Sequence, residues 1–172
     1  EPINRYFQRI YVILEDFYNL FIYKRFERKD KIEVTNWQPC LFLRFAVIAV
    51  KVTRIDAKVA ILGITFKENC PDVRNSKVID IVKRLKEYGI SPDITDPWAD
   101  IIEVKNEYNI DLKQLNDIKN VDCLVLAVAH DEFKIMNLLD MDNLFKPLPN
   151  SEKVFIDLKN ICSLSELTSS GY

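Results

Sequence analysis

Across residues 58–160, apolar runs of strand length alternate with stretches in which apolar residues recur every three or four positions. KVAILGI (58–64) is apolar after its first residue and ends at a glycine, which predicts a buried strand. SKVIDIVKRLKEYG (76–89) places Val78, Ile81, Val82 and Leu85 on one helical face. Ser76 is a candidate N-cap for that helix and Gly89 its stop. SPDITD (91–96) predicts a second strand, ended by Pro97, and WADIIEVKNEY (98–108) a short helix. NIDL is read as a brief further strand and LKQLNDI as a helical turn. VDCLVLAVA (121–129) has the unbroken apolar character of a strand buried on both faces. HDEFKIMNLLDMDNLF is read as helical, and KVFIDLKN (153–160) as the last strand.

Strand and helix alternating through short loops predict an α/β fold with a parallel sheet. Right-handed crossovers then place helices on both faces, a Rossmann-like three-layer arrangement. In such sheets ligands sit at the carboxyl ends of the strands, near the switch point. The chain changes character near Arg54. Residues 1–55 are rich in aromatics and contain no glycine. There Phe7, Ile10, Leu14, Phe17 and Phe21 share one helical face, with Asn4 placed to cap it. The expected organisation is a helical or linker segment over 1–55, then a domain over 56–172.

Composition narrows the function classes. The chain has 172 residues, 48% of them hydrophobic and 29% charged, as a soluble globular core requires. A net charge of -2 gives no reason to expect nucleic acid or an anionic membrane as partner. The apolar runs near the N-terminus and at 41–52 carry charges and fall short of a membrane span. Cys40, Cys70, Cys123 and Cys162 lie far apart, which argues against zinc and for reduced thiols in a cytoplasmic protein.

The chemistry concentrates in KVAILGITFKENCPDVRNSK (58–77). Gly63 permits a tight turn or a close backbone approach. Lys67 and Arg74 flank a loop that leads into a helix N-terminus. Amides, helix dipole and two cations together favour an anion, most naturally a phosphate. The competing reading is a set of surface salt bridges among Lys67, Asp72 and Arg74. One glycine does not make a dinucleotide cradle. His130, the single histidine, follows a buried strand and reads as a structural or helix-start residue. Asp131 and Glu132 read as charge at a helix N-terminus rather than an acid/base pair.

Four segments in order resemble the C-terminal domain of the UDP-glucose/GDP-mannose dehydrogenase family. They are LGITFKENCPDVRNSKV, ITDPWAD with its Asp-Pro, LVLAVAHDEF, and FIDLKN. The resemblance spans roughly residues 57–161, and the loop is most similar to the branch acting on UDP-N-acetylhexosamines for surface polysaccharide. It implies an NAD-dependent oxidation of the sugar C6 to a uronic acid. In this domain it implies substrate contacts from Phe66, Lys67 and Lys159, and Arg74 directed at the NAD phosphates. Lys159 stands where many members carry arginine, which keeps the charge and loses the planar fork. The resemblance further implies a homodimer and an NAD-binding N-terminal domain as partner. Neither the glycine fingerprint for NAD nor the family's catalytic cysteine segment occurs in residues 1–172, and Cys70 is not in the nucleophile's place. No catalytic residue and no metal site is expected in this chain. The alternative is a non-catalytic module used for assembly or regulation.

Overall fold

The computed structural model describes residues 57–172. The aromatic helix, the segment at 41–52, Cys40 and the proposed boundary near 55 lie outside the described residues. Four strands, β1 (Val59–Leu62), β2 (Asp93–Thr95), β3 (Cys123–Leu126) and β4 (Val154–Asp157), form one sheet in the order β2-β1-β3-β4. All three pairings are parallel. The helices are α1 (Val78–Glu87), α2 (Ile101–Tyr108), α3 (Asp131–Lys134), α4 (Leu138–Asp142) and α5 (Leu164–Ser169). The expected α/β parallel-sheet architecture is present.

Strand burial shows why helices lie on both faces. Every residue of β1 and β3 is buried. Ala60, Leu62, Leu124 and Leu126 belong to a core with Ile118, Phe133, Met141, Leu144 and Phe145. Val59, Ile61, Cys123 and Val125 alternate with them, point to the opposite face, and are equally buried. α1 buries Val78, Ile79, Ile81, Val82 and Leu85, each stabilising by roughly 1.5–3 kcal/mol.

Element ends follow local hydrogen bonding. α1 stops as its sequence predicts. Gly89 takes φ +79°, its amide bonds Lys86 O, and the Ile90 amide bonds Leu85 O at 3.0 Å. This is a Schellman ending, sealed by buried Leu85 and Ile90. Its start differs by one residue. Lys77 holds the N-cap position, while the Ser76 hydroxyl accepts from the Val78 amide and donates to Thr65 O. Residues 130–145 are two short helices, not one. Asn137 opens α4 with a capping box, its side chain accepting from the Asp140 amide and Asp140 accepting in return. α2 starts at Ile101, not at Trp98, because Asp100 caps it and the Trp98 and Ala99 amides are bound by Asp96. The strand expected in NIDL reduces to one bridge, Leu112 to Ile94, and LKQLNDI gives a single 3-10 turn at Leu115–Asp117.

The chain goes from β1 to β2 on one side and returns to β3 on the other. The switch point is therefore the carboxyl end of β1 between its two neighbours. Gly63 stands there with φ +94°. A Cβ at this position would lie 2.5 Å from Val128 Cβ and 2.9 Å from Val128 N. Both uses expected of this glycine are realised, and its missing side chain makes room for β3's continuation. Gly63→Ala should cost at least about 3 kcal/mol in denaturant unfolding, from strain and overlap together. Adding Val128→Ala should not rescue it, because alanine keeps the Cβ. Gly89→Ala, with open space around it, should cost only about 1 kcal/mol.

Candidate functional site

Asp96 directly follows β2, and its side chain is fully buried. One oxygen accepts from the Ile64 amide at 2.6 Å and the Thr65 amide at 3.0 Å, the first two residues after Gly63. The same oxygen lies 3.1 Å from His130 Nε2, beyond the end of β3. The other accepts from the Trp98 and Ala99 amides at 2.8 and 3.0 Å. One carboxylate thus joins the carboxyl ends of three adjacent strands. Burial pushes its pKa up, but the hydrogen bonds from His130, Ile64 and Trp98 outweigh that and hold it down to about 2.

These contacts correct one expectation about the loop. The first amides after β1 do not face an external phosphate, because they are committed to Asp96. An external anion must instead meet side chains and amides further along.

His130 is also fully buried. Its Nδ1 accepts from the Asn69 amide at 3.0 Å, and Nε2 lies 3.0 Å from Thr65 Oγ1. Trp98 stacks on the ring at 15° and 6.5 Å, and Phe133 meets it edge-on at 5.6 Å. Asn69 has φ +52° and exchanges two hydrogen bonds with Asp131, side chain to side chain and amide to side chain. The expected structural role for His130 agrees with these contacts. Asp131 and Glu132 lie in the first turn of α3; Asp131 also binds Lys134, and Glu132 accepts from the Trp98 indole.

The predicted binding residues surround this anchor. The Phe66 amide closes the loop onto Asp72 O at 2.8 Å, and the residue is 56% exposed. Lys67 and Glu68 are exposed beside it. Glu68's own backbone amide lowers its carboxyl pKa below the usual range, against slight burial, and the charges of Lys159 and Lys134 add to this. Lys159 follows β4, which pairs with β3, and its amide bonds Asp157 Oδ1. Lys159 therefore reaches the same sheet edge as Phe66 and Lys67. Arg74 makes two bonds to Asp72, at 2.9 and 3.0 Å, in an exposed pair. This realises part of the surface-salt-bridge reading. The hydrogen bonds and charge of Asp72 raise the Arg74 pKa, with smaller contributions from Glu103 and Glu107 toward α2.

Cys70, Cys123 and Cys162 are free thiols. Burial and Asp122 push the Cys123 thiol up to about 12, and burial with Asp157 pushes Cys162 up to about 11. Among the described residues no three His, Cys, Asp or Glu side chains are grouped to hold a metal ion. None of their helices is long and apolar enough to cross a membrane. Asp96, Thr65 and Asn69 were not singled out as site residues from the sequence. The available signal was an aspartate and the sole histidine at the carboxyl ends of the two strands beside β1.

A parallel sheet with a cationic loop at its switch point defines an α/β domain of the nucleotide-binding class. The chain belongs to the UDP-glucose/GDP-mannose dehydrogenase family, whose UDP binding domain matches residues 60–164. It is 45% identical over 103 residues to a UDP-N-acetyl-D-glucosamine 6-dehydrogenase of Pseudomonas aeruginosa, covering 60% of this chain and 24% of that protein. The corresponding Salmonella typhi enzyme is 42% identical over 107 residues, covering 61% of this chain and 24% of its own length. The chain therefore spans about a quarter of the length of the curated relatives it matches. The fold is shared with an NDP-N-acetyl-D-galactosaminuronic acid dehydrogenase from Methanosarcina mazei Go1. That match has a TM-score of 0.62 and 20% identity over 91% of this chain and 35% of that one.

The depressed Asp96 carboxyl stabilises the fold above its unfolded pKa, near 3.8, and this contribution is lost as pH falls toward about 2. The advantage of the native chain over Asp96→Asn should therefore be on the order of 2 kcal/mol at neutral pH. Denaturant unfolding at a series of pH values should show it shrinking between about pH 4 and pH 2.

Proposed function

We propose that this chain is the substrate-nucleotide-binding part of an NAD-dependent UDP-sugar 6-dehydrogenase acting on a UDP-N-acetylhexosamine. The carrying observation is the match of residues 60–164 to the family's UDP binding domain. The names of the relatives supply the sugar class. The placement of Phe66, Lys67 and Lys159 along one sheet edge supports the reading. Exposed Phe66 offers an apolar face to the uridine or sugar, and Lys67 and Lys159 offer charge to the diphosphate. A lysine at 159 gives a point charge without bidentate geometry.

The residues present do not fit NAD as a ligand of this domain alone. The single glycine at the end of β1 is packed against Val128, and the further glycines of a dinucleotide cradle are missing from the loop that follows. The Ile64 and Thr65 amides bind Asp96 instead. NAD belongs to another domain of the proposed enzyme, with Arg74 reaching toward it on release from Asp72. The oxidation of C6, with its catalytic thiol, belongs there as well. We place the assembled enzyme in the cytoplasm, as a homodimer, in synthesis of surface polysaccharide.

Calorimetric titration with UDP should give weak, saturable binding to this chain. Lys67→Ala should weaken it about tenfold, the worth of one exposed charge-assisted hydrogen bond. Lys86→Ala, in the last turn of α1, should leave it unchanged. NAD+ reduction by this chain with a UDP-sugar should be undetectable. Absence of UDP binding at millimolar ligand would favour a module used only for assembly.

A further inference from the structure

Phe66 and Lys67 project from a loop whose tip is exposed, yet both ends of that loop meet one buried ring. The Asn69 amide donates to His130 Nδ1, so that nitrogen carries no proton and the remaining ring proton sits on Nε2. Thr65 Oγ1 donates to Lys67 O at 3.2 Å, which leaves its lone pairs to accept from Nε2–H. The same N–H faces Asp96 Oδ2 at 3.1 Å. Asp96 in turn holds the Ile64 and Thr65 amides. One imidazole therefore reads the loop's entry through Thr65 and Asp96, and its exit through Asn69. Trp98 and Phe133 cover the ring, which strengthens these polar contacts by excluding water.

We propose that His130 is the positioning residue of the nucleotide loop. It is a neutral, Nε2-protonated imidazole that latches the Asn69 amide and thereby fixes the directions of Phe66 and Lys67. This rests on the reading of that loop as the UDP site. His130 touches no ligand; it acts through the backbone of residues 65–69. The ring holds both ends of the 65–69 segment, while the Phe66 amide on Asp72 O and the Thr65 hydroxyl on Lys67 O tie its tip. The Asn69 side-chain bonds to Asp131 reinforce the exit but leave the amide itself to the ring.

The two ring nitrogens can be removed separately. Asparagine at 130 can place an acceptor near the site of Nδ1 and offers nothing at Nε2. Glutamine reaches toward the site of Nε2 and leaves the Asn69 amide without its acceptor. We expect His130→Asn to keep UDP affinity within about threefold. We expect His130→Gln to lose about tenfold or more, the worth of an amide left unpaired in a buried site. Both variants should remain folded by circular dichroism.

The chain has one histidine, so its ring nitrogens can be read directly by long-range 1H–15N correlation. The native chain should show the neutral Nε2–H tautomer at neutral pH. The Asn69 amide should exchange slowly in the native chain and in His130→Asn, and quickly in His130→Gln. An Nδ1-protonated ring, or equal Asn69 exchange in the two variants, overturns the proposal. Equal UDP affinity of the two variants also overturns it. If the native chain binds no UDP, the functional reading fails, while tautomer and Asn69 exchange still decide whether the latch exists.

Discussion

The carboxyl edge of this sheet is organised around one buried anion. Asp96 receives four backbone amides and the His130 ring. A carboxylate out of water is costly unless its lone pairs are filled, and here they are filled by the ends of three strands. In a glycine-rich nucleotide cradle, the amides after the first strand turn to the ligand's phosphate. Here the protein supplies its own anion to them. The result is a hydrogen-bonded platform at the switch point, and the proposed ligand recognition is displaced outward onto the side chains of the following loop.

That displacement separates stability from recognition. The platform consists of Gly63 packed against Val128, Asp96, His130 and Phe133, whose side chains are internal, with Trp98 as a partly exposed cover. The proposed recognition elements, Phe66, Lys67 and Lys159, are exposed at the same edge. The opposite edge has its own polar closure: Asp122 accepts from the Lys58 amide and pairs with Lys146, and Asp93 pairs with Lys58 and Lys113. These groups tie strand starts together far from the loop. The chain matches about a quarter of its relatives' length, and the chemistry it contributes is correspondingly partial: a held loop and a charged surface.

Much of the fold was legible because it follows period and punctuation. The apolar runs gave β1 and β3, and the three-to-four spacing with Gly89 gave α1 and its end. Side chains that bind their own backbone shifted the boundaries: Asn137 broke a helix that the pattern extended, and Asp96 delayed α2 by taking two amides. The chain has only three glycines, and all three have positive φ. Other left-handed positions are held by Asn69, Asn75, Asn109, Asn120 and Asn160, so turns usually marked by glycine were muted. The loop cations and Phe66 were visible through resemblance. The anchor was not, because the contacts that join Thr65, Asp96 and His130 across strands span 31 to 65 positions, and only the fold brings them together.

The location of the ligand site is tested most directly by amide chemical-shift mapping of the 15N-labelled chain during titration with UDP. Saturable shifts should centre on residues 66–70 and 158–160, with the amides of Lys58, Asp93 and Asp122 unmoved. Saturable shifts centred on that opposite edge, or on α5, would contradict the assignment of the nucleotide to the carboxyl edge.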